Sequence, residues 1–344
     1  MKVIDLRSDT VTLPTKEMMD AIAQAELGDD VSREDPTVNK LQEMAAKKFG
    51  AEASLLVPSG TMANLVSVMT HCVRGDEIYL ESESHIYYYE VGGLSAVVGA
   101  LPRLIKGDRG IFTPEQLRSA YRGREMHLPN PKLVCLENTH NRGGGSVWTP
   151  KQVEEMTVAA RELGLKVHID GARIFNAAVA LGVDVKEYMK HVDSVSFCLS
   201  KGLSCPVGSL IVGGRDFIKK AEKNRKMVGG GMRQAGIIAA PGIVALEHMV
   251  DRLEEDHENA KALAKGLSQI DGLDVQVQNV ETNIVILRIL KKGLSPDDLV
   301  TRLKRRGILA SSFGPDLVRL VTHRGITIGD IDTVIEQTET LMKA

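Results

Sequence analysis

Hydrophobic and polar positions in the first two thirds of the chain alternate between two periods. Short apolar runs of strand character are repeatedly followed by longer segments whose apolar residues recur at helical spacing. Strands that alternate with helices predict an α/β domain built on a mostly parallel sheet. The predicted strands lie near 54–57, 77–80, 102–106, 133–136, 167–170, 195–199 and 210–212, and the predicted helices near 15–26, 37–49, 60–71, 149–163, 185–191 and 216–227.

The pattern changes in the last third of the chain. A long helical stretch runs from Arg233 to about Leu267, and we expect it to kink or restart at Pro241 because proline lacks a backbone N–H. Beyond this stretch, two strands, a helix, a strand and a final helix predict a small α+β domain. The predicted division is an N-terminal arm over the active site at 1–14, a large domain at 15–250 and a small domain at 251–344.

Lys201 is presented at a turn between two apolar strands and is followed by Gly202. Apolar surroundings disfavour the charged ammonium, and a lysine that readily loses its proton suits Schiff-base chemistry. Upstream, a strand-like run ends at Asp170 and is followed by Arg173. A lysine for the aldehyde and a carboxylate for the ring nitrogen are the groups that pyridoxal phosphate (PLP) requires. The alternative is a structural loop that carries a surface lysine.

Ser59, Gly60 and Thr61 form a turn of small residues between a predicted strand and a predicted helix. Such a turn directs free backbone N–H groups and the positive end of the helix dipole at a phosphate. The alternative is an ordinary strand-to-helix turn with a serine cap. The chain has no complete G-x-G-x-x-G pattern, which disfavours a dinucleotide cofactor.

His85 and Tyr89 lie four positions apart, so a helix would place them on one face. An imidazole beside a phenol can stack on a flat cofactor and transfer protons. The alternative is a half-buried aromatic helix with no part in chemistry.

Composition and charge exclude several classes of protein. Hydrophobic residues make up 43% and charged residues 26% of the 344 residues, which predicts a globular protein. The formal net charge of −2 gives no general attraction to nucleic acid or to an anionic membrane. Neither a signal peptide nor a membrane span is expected. The four cysteines have no metal or disulfide spacing, so we expect a cytoplasmic protein without a metal motif.

Several short motifs are spread in order over nearly the whole chain. They lie at 5–12, 28–31, 34–36, 58–61, 137–141, 168–176, 198–202, 229–234 and 319–323. Together they resemble the low-specificity L-threonine and L-allo-threonine aldolases, which are PLP-dependent enzymes of fold type I, the aspartate aminotransferase superfamily. The stretch 291–315 carries no such motif. The resemblance implies a large domain with a mostly parallel sheet of seven strands flanked by helices, followed by a smaller α+β domain.

The resemblance also implies roles for residues inside these motifs. Lys201 would carry PLP as a Schiff base, Asp170 would pair with the pyridinium nitrogen, and His85 would stack on the ring. The implied catalytic residues are Lys201, His85 and Asp170, the implied cofactor-binding residues are Ser59, Gly60, Thr61, His85, Asp170, Arg173, Lys201 and Arg233, and the implied substrate-binding residues are Ser8, Tyr89, His127, Arg173 and Arg319. No metal ligand is implied.

The activity implied by the resemblance is retro-aldol cleavage of L-threonine or L-allo-threonine to glycine and an aldehyde. One alternative is another PLP reaction on the same scaffold, by a β-eliminating lyase, an amino-acid racemase or an enzyme like serine hydroxymethyltransferase. Another is a protein of this fold that binds without catalysis. The expected partner is a small amino-acid substrate. The chain is also expected to form a homodimer paired into a tetramer, in which Arg233 reaches the phosphate of a neighbouring subunit.

Overall fold

The computed structural model describes residues 2–343. Its strands, numbered in chain order, are β1 (Ile4–Asp5), β2 (Ala53–Val57), β3 (Asp76–Glu81), β4 (Leu101–Ile105), β5 (Asn130–Glu137), β6 (Lys166–Asp170), β7 (Ser194–Cys198), β8 (Ser209–Gly213), β9 (Leu273–Asp274), β10 (Ile284–Ile289), β11 (Ile308–Leu309), β12 (Ser311–Ser312) and β13 (Leu317–Val321). Its α-helices are α1 (Lys16–Ala23), α2 (Pro36–Phe49), α3 (Gly60–His71), α4 (His85–Tyr88), α5 (Pro114–Ala120), α6 (Pro150–Glu162), α7 (Ile174–Leu181), α8 (Lys186–Met189), α9 (Arg215–Met227), α10 (Gly236–His248), α11 (Leu253–Leu267), α12 (Pro296–Arg305) and α13 (Ile328–Lys343). Short 3₁₀ turns lie at Asp9–Val11 and Val277–Asn279, and a π turn at Leu94–Val98. No helix within residues 2–343 is long and apolar enough to cross a bilayer.

A seven-stranded sheet organises the larger part of the molecule. Its strand order is β2-β8-β7-β6-β5-β3-β4. Strand β8 is antiparallel to both of its neighbours, and the remaining pairs are parallel. The predicted fold class is confirmed. The carboxyl ends of β5, β6 and β7 meet at one edge of the sheet, the edge at which ligands bind in such folds.

Local sequence accounts for several element boundaries. Helix α2 begins after Asp35, whose side chain accepts a hydrogen bond from the Val38 N–H, and Pro36 occupies its first turn. It ends at Gly50, whose φ of +63° is a left-handed conformation that costs glycine little. Helix α3 begins in the same way, because the Ser59 side chain accepts from the third following N–H.

The helix that contains Pro241 is continuous, so the prediction of a restart at this proline is wrong. Helix α10 runs through Pro241, and the interruption lies at 249–252, before α11 begins. Because proline has no N–H, position 241 lacks the backbone hydrogen bond to the carbonyl of Ile237, a residue in the first turn of the helix. The helix is buried along most of its length, and this burial offsets the lost bond.

The C-terminal part of the chain builds a second sheet with the order β12-β13-β10-β9, antiparallel throughout. Its apolar side chains form a separate core with α11, α12 and α13, and Ile4 and Leu6 from the N-terminus belong to this core. Strand β1 pairs with β11 in parallel, which anchors the N-terminal arm before it reaches the edge of the larger sheet. The division at residues 14 and 250 stays a prediction.

Candidate active site

A cavity of about 320 Å³ opens where the large sheet, the small sheet and the N-terminal arm meet. A larger cavity of about 580 Å³ lies between the two sheets, but Lys201 does not line it. The predicted site residues that line the smaller cavity are Ser8, His85, Tyr89, Arg173, Lys201 and Arg319. The cavity therefore gathers residues from distant parts of the chain.

Lys201 lies in the turn after β7, at the carboxyl edge of the large sheet. Two hydrogen bonds of 2.8 Å hold its carbonyl, one from the Thr12 hydroxyl of the N-terminal arm and one from the Ser204 N–H. Within residues 2–343 no side chain forms an ion pair with its amino group. The backbone of Lys201 is thus fixed, and the residue lines the cavity.

Asp170 ends β6, the strand that pairs with β7, and its carboxylate is buried. One oxygen accepts from the Ala172 N–H at 3.1 Å, and the other accepts from Asn64 Nδ2 at 2.8 Å. No cationic side chain among the described residues lies within ion-pair distance of it. A buried carboxylate without a cation is costly unless a cationic group binds there.

His85 is held by two acidic residues at the start of α4. Its backbone N–H donates to Glu137 Oε2 at 2.6 Å, and its Nδ1 lies 2.8 Å from Glu90 Oε1. Burial lowers the pKa of His85, but the hydrogen bond to Glu90 and the charge of Asp170 outweigh it, so the net pKa is raised. For the Glu90 carboxyl, burial acts in the opposite direction and raises the pKa. A proton on Nδ1 satisfies this bond and leaves Nε2 as the free ring nitrogen.

Asn64 joins this pair to the carboxylate of Asp170. Its Nδ2 donates to Glu90 Oε1 and to Asp170 Oδ2, both at 2.8 Å, and its Oδ1 accepts from the Ser196 hydroxyl at 2.9 Å. One side-chain N or O atom from each of His85, Glu90 and Asp170 lies within 4.8 Å of the other two, a spacing that a metal site would also show. Because an amide N–H points between the two carboxylates, we describe this group as a hydrogen-bonded network.

Arg173 is engaged by a buried acid from the N-terminal arm. Its Nε and Nη2 donate to the two oxygens of Asp9 at 2.8 and 2.7 Å. Burial opposes ionisation of Asp9, but the charge and hydrogen bonds of Arg173 outweigh it and hold the pKa of Asp9 well below its ordinary value. Three N–H groups of Arg173, two on Nη1 and one on Nη2, are left for a ligand.

Arg319 has no acidic partner among the described residues. Its Nη1 donates to Asn141 Oδ1 at 2.8 Å and its Nη2 to the carbonyl of Arg7 at 3.1 Å, while its buried Nε has no hydrogen-bond partner. Burial lowers the pKa of Arg319, but a guanidinium stays charged in proteins. An unpaired guanidinium at a cavity wall favours a carboxylate ligand.

The small-residue turn lies beside the turn that carries Lys201. The Ser59 side chain accepts from the Met62 N–H at 3.2 Å, and the N–H groups of Gly60 and Thr61 have no partner within the helix. A Cβ on Gly60 would lie 2.7 Å from Cys198 Sγ, so only glycine fits. The free N–H groups can therefore receive a phosphate next to the end of β7.

Six predicted site residues do not line this cavity. Ser59, Gly60, Thr61 and Asp170 lie at the ends of β2 and β6, and the other two are His127 and Arg233. His127 is exposed in the segment between α5 and β5. The side chain of Arg233 is 63% exposed and forms an ion pair with Asp29 at 2.8 Å. The roles given to His127 and Arg233 stay predictions.

Several residues of the site were not predicted. They are Asp9, Asn64, Glu90, Glu137, Asn141, Ser311, Ser312 and Phe313. Asp9 lies next to Ser8 inside the motif at 5–12, and Glu137 and Asn141 lie inside the motif at 137–141, so these motifs were a usable signal. Phe313 lies in the stretch without motifs, and nothing in the local sequence indicates that it reaches the site.

These residues fit one kind of cofactor. A lysine without a partner, a buried carboxylate without a cation and a helix start with free N–H groups match the aldehyde, ring nitrogen and phosphate of PLP. With the mostly parallel seven-stranded sheet, they define a PLP enzyme of fold type I.

The chain belongs to the beta-eliminating lyase family, whose model matches residues 5–290. It is 45% identical to low-specificity L-threonine aldolase 1 of Arabidopsis thaliana over 96% of this chain and 94% of the relative. Its fold matches a structure of Leishmania major threonine aldolase with a TM-score of 0.87 and 18% identity, over 98% and 99% of the two chains. It also matches serine palmitoyltransferase from S. paucimobilis with bound PLP, with a TM-score of 0.77 and 18% identity over 99% and 87%.

Proposed function

We propose that this chain is a PLP-dependent aldolase that cleaves L-threonine and L-allo-threonine to glycine and acetaldehyde. One observation carries the proposal: Arg319, a cation without an acidic partner, lines the same cavity as Lys201 and His85. A carboxylate, an amino group and a hydroxyl are the polar groups of a β-hydroxy-α-amino acid. The 45% identity to an L-threonine aldolase over nearly the whole chain supports the same activity.

The residues that would hold the cofactor follow from the fit. Lys201 would bind its aldehyde carbon covalently, Asp170 would face its ring nitrogen, and His85 would cover its ring. The N–H groups of Gly60 and Thr61, with the side chain of Ser59, would bind its phosphate. When bound, PLP withdraws electrons from the bonds at Cα of an attached amino acid.

The protein's own residues decide which bond at Cα is cleaved. Arg319 and the remaining N–H groups of Arg173, with the Ser8 hydroxyl, would grip the substrate carboxylate and fix the rotation about Cα. His85 Nε2 is the free nitrogen that would take the proton of the β-hydroxyl. Loss of the hydroxyl proton would turn the Cβ–O bond into the carbonyl of the departing aldehyde as the Cα–Cβ bond breaks, and one proton returned to Cα would give glycine.

We further propose that the enzyme is a homotetramer, a dimer of dimers, with active sites shared between subunits. Arg233 and His127 are exposed and do not line the cavity of their own chain, so they would act only in the site of a neighbour. A cytoplasmic location is also proposed. All four cysteines are free and buried, which suits a reducing compartment.

An aldehyde assay with the four stereoisomers of threonine tests the function. Purified protein with PLP should release acetaldehyde and glycine in equal amounts from the L and L-allo isomers and little from the D isomers. Release of ammonia and a keto acid instead would favour a β-eliminating lyase, and racemisation alone would favour a racemase. A protein that binds PLP without any turnover would favour a binding role.

A further inference from the structure

Few of the residues that line the cavity have apolar side chains. Its lining consists of hydroxyl, amide and cationic side chains, together with the rings of His85, Tyr89 and Phe313. Tyr89 is 40% exposed and Phe313 is half-buried, and both line the cavity. Since His85 is assigned to the cofactor ring and the hydroxyl proton, an apolar group of the substrate has only these two other rings to contact.

Phe313 reaches the cavity from the small sheet. It lies in the turn between β12 and β13, and its N–H donates to the carbonyl of Leu317 at 2.9 Å. The register of the same hairpin places Ser311 opposite Arg319. The guanidinium carbon of Arg319 lies 5.0 Å from the centre of the Phe313 ring. The hairpin therefore delivers the aromatic ring and the proposed carboxylate-binding group together.

Arg142 lies between rings of α4 and the ring of Phe313. Its guanidinium carbon lies 4.5 Å from the centre of the Tyr88 ring and 4.8 Å from that of Phe313. Its Nη1 donates to the Tyr89 hydroxyl at 3.0 Å, and its Nε donates to Glu83 at 2.8 Å. A planar guanidinium can stack on rings and donate at its edge at the same time. Arg142 thus connects α4 of the large sheet to the hairpin of the small sheet.

A substrate held by its ends would bring its β-substituent near Tyr89 and Phe313. Arg319 would hold the carboxylate and the turn of Lys201 the amino end, which leaves Cβ directed at the remaining wall. The hydroxyl on Cβ would then contact His85. The apolar group on Cβ, a methyl or a larger one, would contact Tyr89 and Phe313. Burial of carbon surface on these rings would favour apolar substituents in proportion to the area covered.

We propose that Phe313 determines which β-substituents the enzyme accepts, with Arg142 as the positioning residue that fixes Phe313 relative to Tyr89. The inference rests on the proposed function and adds to it a residue that determines specificity: aromatic β-substituents should gain most from Phe313.

The test compares L-threonine with L-threo-β-phenylserine in the holoenzyme and in Phe313→Leu and Phe313→Tyr. Loss of a ring contact should lower kcat/KM for phenylserine about tenfold more than for threonine in Phe313→Leu. Phe313→Tyr keeps the ring and should keep the wild-type ratio. The affinity for glycine, which has no β-substituent, should change less than about twofold. Tyr87→Leu is the control, since Tyr87 is an exposed aromatic residue of α4 that does not line the cavity.

Arg142→Lys tests the positioning role, because lysine keeps the charge but cannot stack and donate in the same way. Arg142→Lys should lower the ratio of kcat/KM for phenylserine to kcat/KM for threonine, as Phe313→Leu does. The double variant should depart from the product of the single effects by about threefold or more, as expected for residues in contact. Independent effects would overturn the role of Arg142.

An unchanged ratio in a folded Phe313→Leu protein would overturn the proposal for Phe313. So would an equal loss of affinity for both substrates and glycine, which would mean that Phe313 only supports Arg319. Wild-type protein that releases no aldehyde would refute the proposed function by itself. Affinities for phenylserine and glycine, read from the cofactor's absorbance, would still test Phe313 in that case.

Discussion

Asp9 and Arg173 form a buried bidentate ion pair with N–O distances of 2.8 and 2.7 Å, although they are 164 positions apart in the chain. Asp9 belongs to the N-terminal arm, and Arg173 follows β6 in the large sheet. Both side chains are almost fully removed from solvent. The pair thus ties the N-terminal segment to the large sheet beside the cavity and leaves three N–H groups of Arg173 for a ligand.

We expect Asp9→Asn to destabilise the protein by about 3 kcal/mol, because it leaves the Arg173 charge buried without a counter-ion. The pKa of Asp9 is lowered in the folded state, so the pair stabilises the protein above about pH 4 and loses this effect as the pH falls towards the folded pKa. Urea unfolding between pH 3 and pH 7 measures both effects, with Asp20→Asn, which removes an exposed pair with Lys16, as the control. A variant as stable as the control would refute this role for the pair.

Lys201→Ala should abolish aldehyde release while leaving the circular dichroism spectrum unchanged. Without the amino group, PLP would be retained only through its phosphate and ring contacts, so it should be removed by dialysis. The measurements are acetaldehyde release and PLP content before and after dialysis. Lys223→Ala, on an exposed face of α9, is the matched control. Substantial aldehyde release from Lys201→Ala at saturating PLP would contradict the assignment.

Glu90→Gln should change the pH dependence of catalysis more than the binding of PLP. The bond from Glu90 raises the pKa of His85 against the effect of burial, so its loss should lower that pKa. The acid limb of kcat/KM should therefore move to lower pH, and kcat should fall about tenfold because the ring loses its orientation. Glu187→Gln, which removes an exposed ion pair, is the control. An acid limb that stays in place would mean that His85 does not control it.

Arg233→Ala should weaken PLP binding if the residue reaches the phosphate of a neighbouring subunit. Loss of one charge-assisted hydrogen bond costs about 1.5–3 kcal/mol, or about 10- to 100-fold in affinity. If Arg233 only forms its exposed pair with Asp29, PLP affinity should match that of Arg215→Ala, an exposed arginine on α9.

Mixing Arg233→Ala with Lys201→Ala decides whether the site is shared. At limiting PLP and under conditions of proven subunit exchange, a mixed dimer contains one site with both residues intact, so activity should rise above that of either variant. No gain in activity, or full activity in a monomeric wild-type protein, would place the whole site within one chain.

Local sequence was sufficient for most elements and for the position of the chemistry. Lys201, Asp170 and Gly60 each follow an apolar run, and strands that lie parallel bring such positions to one edge of the sheet. Helices α5 and α7 were not predicted. Helix α7 is buried and apolar along most of its length, so it lacks the polar face from which a helix is recognised.

Contacts between distant segments were decided only by the tertiary structure. The sequence by itself determined where Asp9 and Phe313 lie relative to the predicted elements. It did not show that Asp9 contacts Arg173 or that Phe313 contacts Arg319. Such contacts depend on how two sheets and the arm pack together, and the free energy of that packing is spread over whole cores. A motif records the local conformation of a few residues, which is why the edge of the sheet was predictable and the wall that the small sheet adds to the cavity was not.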